Sequence, residues 1–295
     1  MTEDDIEIKD GYIYGGWRAP ENKLKGDPTS IHDDSTAQKV GMRGGTIQGT
    51  IHLSMFAPLM LKMCGDDRWF ETGSVSIYYT FATTDREEVR AVVKMPPEGV
   101  EIDNFQLEAK IEMKEDEKLA GIGTISVGEP KKLSYLQSQE IKNSPHEDLR
   151  ILSRYKLGYE FSPEDILFSQ KDIDWRDRSI TDHLDYYLGE SSPWGQSILS
   201  PTAAFSAMAL GFDTTNFSEF NAVAFYGGTE IRHIKGPIKA NTSYVVAGKI
   251  VGLGASRKTE YLWLDSVLKE KESGKIVASM RHLNRFMKAG SPLYP

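Results

Sequence analysis

The chain has 295 residues, room for about two domains of ordinary size. Its 43 acidic and 35 basic side chains leave a formal net charge of −8, and without a basic block that balance offers no cationic face to a nucleic-acid backbone. The 12 Phe, 13 Tyr and 5 Trp are too many for a solvated coil. The single cysteine, Cys64, excludes an intrachain disulfide framework and a multi-cysteine metal site, and it fits a reducing compartment.

The start, Met1-Thr-Glu-Asp-Asp, lacks the basic-then-apolar order of a secretory signal, and no apolar run reaches the ~18 residues of a membrane span. A cytoplasmic protein is expected. From about Ile6 to Lys25 the chain is polar and rich in Gly and Pro. Thr50–Met63 (TIHLSMFAPLMLKM) then reads as an apolar helix. Four strands are predicted after it: Ser74–Ala82, Val89–Met95, Phe105–Met113 and Leu119–Val127. In the third, Phe105, Leu107, Ala109, Ile111 and Met113 alternate with polar residues. Thr84-Asp85, Pro96-Pro97-Glu98-Gly99 and Glu115-Asp116 supply turn chemistry between them. Residues 129–171 are charged and weakly periodic; they are expected to form a linker holding one helix and the first strand of the second half.

From about Asp172 the order repeats. Pro201–Leu210 (PTAAFSAMAL) reads as a helix, followed by strands over Thr229–Ile234, Ser243–Leu253, Tyr261–Lys269 and Val277–Met287. Turns fall at Ala240-Asn241, Gly254–Arg257 and Glu272-Ser273-Gly274. His32 precedes Ile47 by 15 residues, as His183 precedes Ile198, and the two histidines are 151 residues apart. The strands after each helix begin near Gly73 and Gly228, 155 apart, which points to a diverged tandem duplication. One helix followed by four antiparallel strands, made twice, resembles the hotdog fold, in which a sheet wraps one long helix. The expected class is therefore α+β, a double hotdog. Residues 1–128 would be a first repeat, 129–171 a linker and 172–295 a second repeat without catalytic residues.

Chemistry concentrates in Gly26-Asp27-Pro28-Thr29-Ser30-Ile31-His32-Asp33-Asp34-Ser35-Thr36-Ala37 and the subsequent Gly44-Gly45-Thr46-Ile47-Gln48-Gly49. Asp27 and His32, five apart in a loop, can converge on one water, the carboxylate taking a proton and the imidazole orienting or exchanging one. Gly49 and Thr50 open the helix, where free N–H groups can stabilise a developing oxyanion and glycine admits a close approach. Simpler roles compete: Asp27 as a turn starter, His32 as a structural histidine bonded to backbone, and Asp33 and Asp34 as a helix cap and a first-turn charge. Thr36 and Gln38 are expected to face solvent.

The segment resembles the signature of the MaoC-like (R)-specific enoyl-CoA hydratase/dehydratase family, G-D-x-N-P-(I/L)-H-x-D succeeded by G-x-P-I-x-H-G at the helix start. Gly26, Asp27, Ile31, His32, Asp34 and Ala37 match, and Gly45, Ile47 and Gly49 match approximately. Thr29-Ser30 replaces Asn-Pro, and Gln48 or Gly49 stands where the family has its second histidine. The resemblance implies an acyl-CoA hydratase/dehydratase with Asp27 and His32 catalytic and with Gln48, Gly49 and Thr50 at the thioester oxygen. It would use no metal or separate cofactor, the coenzyme A thioester being the substrate. Expected partners are an acyl-CoA or acyl-carrier-protein substrate and a second copy in a homodimer, with no nucleic acid or membrane. An acyl-CoA thioesterase and a non-catalytic acyl-thioester-binding protein are the alternatives.

The second repeat departs from the first. Trp194-Gly195-Gln196-Ser197-Ile198-Leu199-Ser200-Pro201 resembles the helix start of paired hotdog halves that lack catalytic residues, and Arg178, not an aspartate, lies five before His183. Asp177 lies six before His183 and Asp182 adjoins it. This half is therefore expected to be a decayed site that shapes the acyl pocket, and Pro201, which removes a helix-start N–H, weakens an oxyanion role there. Gly252-Leu-Gly254-Ala-Ser256 reads as a hairpin, His233 and His282 as strand residues, and Cys64 as a packed thiol. Arg43, Arg232 and Lys235 are candidates for a phosphate contact that nothing local distinguishes from solvated charges.

Overall fold

The computed structural model describes residues 5–97, 99, 103–115, 118–189, 191–210 and 217–295, with the side chains of 217 and 218 left aside. Among these residues, eleven strands form one antiparallel sheet. The first half supplies β1 (Glu7–Lys9), β2 (Tyr12–Tyr14), β3 (Ser74–Tyr79), β4 (Val89–Lys94), β5 (Phe105–Met113) and β6 (Leu119–Val127). The second supplies β7 (Glu164–Leu167), β8 (Ala224–His233), β9 (Ser243–Ala255), β10 (Thr259–Glu270) and β11 (Ile276–Met287). The spatial order is β1-β2-β4-β5-β6-β3-β8-β11-β10-β9-β7. Outward from the middle, β3-β6-β5-β4-β2 on one side repeats as β8-β11-β10-β9-β7 on the other. The seam is the antiparallel pair β3–β8, with Ser76 opposite Glu230 and Ile77 opposite Thr229.

Helices cover the inner face: α1 (Asp34–Lys39), a 3₁₀ segment (Gly49–Phe56) running into α2 (Ala57–Cys64), α3 (Arg68–Thr72), α4 (Gln170–Asp177), α5 (Asp185–Leu188) and α6 (Pro201–Met208). The two central helices touch directly. Thr202 Oγ1 lies 3.0 Å from Ser54 Oγ and donates to the Thr50 carbonyl at 3.0 Å. Leu53, Phe56, Leu59, Met60 and Phe205 are completely buried between helix and sheet, where each large side chain contributes roughly 1.5–3 kcal/mol of burial. The alternation in β5 is realised, Phe105, Leu107, Ala109, Ile111 and Met113 all facing inward.

Several sequence expectations need correction. The helix over 50–63 starts one residue earlier, is 3₁₀ over Gly49–Phe56 and is α only from Ala57. Pro58 has no N–H to return to the Ser54 carbonyl, so a continuous i→i−4 ladder cannot run through it. The first strand ends at Tyr79, short of Ala82, and the segment before Lys25 contains β1 and β2. Strand β8 starts at Ala224, five residues before the expected Thr229. Glu98 and Asp116, in two predicted turns, lie outside the described residues. Thr36 is buried, its hydroxyl donating to the Pro28 carbonyl at 2.8 Å, while Gln38 is exposed.

The linker contains the expected strand, β7, but among the described residues from 129 to 169 its only helical turn is 3₁₀, His146–Asp148. It is held instead as a strap that crosses the outer face of the sheet, where Leu136 packs on Trp263 and Leu283, and then turns to the inner side, where Ile151 and Leu152 join the main core. Buried Glu260 accepts the backbone N–H groups of Arg150, Ile151 and Leu152 at 2.7, 3.0 and 2.8 Å. Glu230 accepts from Ser76, Ser134 and Gln137. Gly252 and Gly254 lie within β9, and the hairpin turn falls later than expected, at 256–258; a side chain at either glycine would strike the strap, at Ile141 and Lys142.

Candidate functional site

A cavity of about 360 Å³ opens where the start of the first central helix, the end of β3 and the second half's α4 and β8 converge. His32, Gln48, Gly49, His52 and Tyr79 line it from the first half, and Tyr226 from the second.

Local chemistry fixes His32. Asp33 caps α1 by accepting from the Thr36 N–H at 2.9 Å, and Asp34 Oδ1 accepts from the Gly45 N–H at 2.7 Å. Both sequence roles are met, and Asp34 additionally ties the first turn of α1 to the loop that follows the helix. Asn22 Nδ2 donates to the His32 carbonyl at 2.8 Å. A side chain at Gly45 would collide with that carbonyl, so only glycine fits there. The ring's Nδ1 lies 2.6 Å from the Thr46 carbonyl oxygen. A carbonyl only accepts, so Nδ1 carries the proton and Nε2 is the basic atom. Burial pushes the His32 pKa below the usual imidazole range; the Thr46 bond and the charge of Asp27 oppose that shift but are outweighed. His32 is therefore a neutral base at pH 7.

Asp27 occupies the turn that the simpler reading assigns it. Its Oδ1 accepts from the Thr29 N–H at 2.9 Å and the Thr29 hydroxyl at 2.7 Å, and its carbonyl accepts from Ser30 N at 3.0 Å. Asp27 is not a described lining residue of the cavity and makes no hydrogen bond to His32, though its charge reaches the ring. Among the described lining residues there is no carboxylate.

At the helix start, the first 3₁₀ bond runs from Ile51 N to the Gln48 carbonyl at 3.0 Å. The Gly49 and Thr50 N–H groups therefore precede the ladder, and neither has an acceptor among the described residues. Gly49 lines the cavity; Thr50 is completely buried behind it. A Cβ at Gly49 would sit 2.9 Å from the Tyr79 ring, so glycine lets the tyrosine close against the backbone. Gln48 Nε2 donates to the Tyr226 hydroxyl across the seam at 3.3 Å. Tyr226 faces inward because of a bulge: Leu283 pairs with Gly228 and Asn284 with Tyr226, leaving Gly227 as the extra residue. One extra residue exchanges the two faces of a strand.

Sequence reasoning missed His52. It lies three residues after Gly49, one turn of a 3₁₀ helix, hence on the same face. Its Nε2 lies 2.8 Å from Thr83 Oγ1, its Nδ1 has no partner among the described residues, and burial lowers its pKa to about 4. It also missed the cations that line the cavity, Arg176 and Arg178. Of the candidates it named, Arg43 is held by both oxygens of Glu87 at 2.9 Å, and neither Arg232 nor Lys235 is a described lining residue.

The second half has no matching histidine site among the described residues. His183 is exposed, Asp182 pairs with Arg18 at 2.9 Å, and Asp177 is buried, accepting from the α6 cap Ser200 at 2.5 Å. Burial raises the Asp177 pKa to about 7. His233 and His282 are buried strand residues, as expected, and burial raises the Cys64 thiol to about 11, far from a thiolate nucleophile. No cluster of three metal-ligating side chains occurs among the described residues. No described helix is long and apolar enough to cross a membrane.

No protein-family profile matches the chain, and no curated protein matches it. Solved structures do. A MaoC-domain protein of Chloroflexus aurantiacus J-10-fl, provisionally described as a dehydratase, superposes with a TM-score of 0.58 at 10% identity over 93% of each chain. A conserved hypothetical protein of Mycobacterium tuberculosis, described as having a double hotdog fold, superposes with a TM-score of 0.57 at 9% identity over 92% of this chain and 94% of the other. Strand order, two central helices and these superpositions together establish that the chain has a double hotdog fold.

Proposed function

We propose that the protein is a hydratase/dehydratase that adds or removes water at a 2-enoyl/3-hydroxyacyl thioester. One observation carries the reading: a neutral, orientation-locked imidazole, His32, shares a cavity with an acceptor-free N–H at a helix start, Gly49. In the hydration direction His32 Nε2 takes a proton from water as its oxygen attacks the β-carbon. Electron density moves through the double bond onto the thioester oxygen, where the Gly49 N–H, with Thr50 behind it, donates to the forming enolate. The imidazolium then returns a proton to the α-carbon, so water is added across the bond and the base is regenerated. Asp27 raises the basicity of His32 through its charge and is the second candidate for ordering the water. A coenzyme A or carrier-protein thioester is the substrate class, and the second half walls the acyl arm through Tyr226, Phe225 and Ser206.

The absence of a carboxylate among the described lining residues favours this chemistry over a carboxylate-driven thioesterase. The test is loss of enoyl absorbance on a short enoyl-thioester. His32→Ala is expected to lower kcat about 10²–10⁴-fold, the usual contribution of a positioned general base. Hydration that survives both His32→Ala and Asp27→Asn eliminates the mechanism. Release of free thiol from a saturated thioester, with enoyl absorbance constant, replaces it by hydrolysis.

A further inference from the structure

We propose that the Thr83 hydroxyl, set by His52 behind it, holds the oxygen that is added to or removed from the substrate. The fate of that oxygen rests on the hydratase/dehydratase reading above; the hydroxyl site itself is tested by binding alone.

Three short stretches lie side by side at the cavity. Thr46 N donates to the Ile31 carbonyl at 2.9 Å, Ile47 N donates to the Thr83 carbonyl at 2.8 Å, and Thr46 pairs with Thr84. His32 and Thr83 therefore flank one segment, residues 46 and 47, and both line the cavity. The His32 ring leans onto that segment through the bond between Nδ1 and the Thr46 carbonyl. Gly49, whose N–H has no acceptor among the described residues, follows two positions after Ile47. One hydroxyl hydrogen at this junction is left to be placed. Thr83 is 2% exposed, and its Oγ1 lies 2.8 Å from His52 Nε2, its one side-chain partner among the described residues. His52 is 3% exposed and burial keeps its ring neutral, so it carries a single N–H. On Nδ1 that proton would be a buried donor with no acceptor among the described residues; on Nε2 it meets Thr83 Oγ1. A buried donor without an acceptor is the rarer defect, so the ring donates and the Thr83 oxygen accepts. The hydrogen of the Thr83 hydroxyl then has no acceptor except what enters the cavity.

A donor of this kind calls for a ligand oxygen with a lone pair. The Gly49 N–H takes the thioester oxygen, which leaves the attacking water or, in reverse, the 3-hydroxyl. No described lining residue supplies a carboxylate to hold that oxygen, and Asp27 is closed onto Thr29. Thr83 gains and loses no proton: it donates a hydrogen bond to the oxygen while His32 Nε2 carries the proton between water and the α-carbon. Thr83 touches the reacting oxygen; His52 is a positioning residue that acts through it.

Calorimetric titration with 3-hydroxybutyryl-coenzyme A and with butyryl-coenzyme A reads the site directly. It is made in His32→Ala, so that the ligand is not consumed. This parent is expected to prefer the hydroxylated thioester about fivefold, the usual yield of one added hydrogen bond. Adding Thr83→Val should abolish the preference, and adding Thr83→Ser should keep it. Valine preserves the backbone carbonyl and the side-chain shape, and a fold defect would weaken both ligands alike. With His32 in place, Thr83→Val should lower kcat for crotonyl-coenzyme A at least about tenfold with KM unchanged, because the enoyl chain has no oxygen at that carbon. His52→Leu should do the same and add nothing in the Thr83→Val background, while His52→Gln, which keeps an N–H donor, should retain most of the rate. Additive losses at the two positions overturn the arrangement. A parent without the preference, or a preference that persists in Thr83→Val, overturns the site. Hydration that is indifferent to Thr83→Val keeps the reaction and overturns the site. A Thr83-dependent preference in a protein whose wild type hydrates no enoyl-thioester keeps the site and defeats the reaction.

Discussion

His32 owes its chemical state to three neighbours acting in known directions. Burial favours the neutral ring, while the Thr46 carbonyl and the Asp27 charge favour the protonated one, and burial is the largest. Its folded pKa therefore lies below 6.5, and the base stays unprotonated through neutrality. If it acts as the base, kcat/KM should be flat near pH 7 and fall only as pH drops through the lowered pKa. Asp27→Asn removes an influence that raises the pKa, so the acid limb should move to lower pH. A shift to higher pH would refute the electrostatic role. A large loss of plateau rate would place Asp27 on the water rather than only near the ring. This distinction was not legible in the sequence, because a D-x-x-x-x-H spacing fits both a shared water and an Asp that closes its own turn with Thr29. The structure shows the turn bonds at 2.9 and 2.7 Å. His52 was hidden for a related reason: inside TIHLSMFAPLMLKM it reads as one polar interruption of an apolar helix. What the sequence does not show is that the Gly49 face of this helix lines a cavity, and in the 3₁₀ geometry of Gly49–Phe56 His52 lies directly over Gly49.

Among elements, the strap that wraps from the outer face of the sheet to its inner side is the least expected. Its sequence is charged and aperiodic because it is neither helix nor sheet; one carboxylate supplies the acceptors that a ladder would otherwise supply. Ile151 and Leu152 are buried, so removing Glu260 strands their N–H groups at a cost of about 1–3 kcal/mol for each buried unsatisfied donor. Glu260→Ala should lower the urea midpoint and expose residues 129–163 to limited proteolysis, with Glu260→Gln less affected because it retains one acceptor oxygen. Equal protease resistance in wild type and Glu260→Ala would show that the strap is held elsewhere. The bulge at Gly227 works by the opposite means, by adding a residue rather than a bond. Without it Tyr226 would share the outward face with Gly228, which packs under Leu136 of the strap, and Gln48 would lose its partner across the seam.

In the whole molecule, the seam between β3 and β8 joins the halves into one sheet, and the Ser54–Thr202 contact joins their helices. Residues 1–128 alone would expose the hydrogen-bonding edge of β3 and the helix face that meets α6. We predict that this fragment self-associates or aggregates, and that co-expression with 129–295 yields a soluble complex with one cooperative thermal transition. A monomeric 1–128 that melts cooperatively by itself would show that each half is an independent domain. The repeated helix-and-four-strand order, most strand boundaries and the loop that carries His32 can be read from the amino-acid sequence. Those features depend on local periodicity, turn chemistry and capping, which neighbouring residues decide. Which groups meet depends on the folded chain: Gln48 with Tyr226, and the His32 cavity with Arg176 and Arg178 from more than a hundred residues away. The physical reason is that such contacts depend on the register of the seam and on a one-residue bulge. Neither leaves a periodic trace, yet a slip of one residue turns every side chain of a strand to its other face.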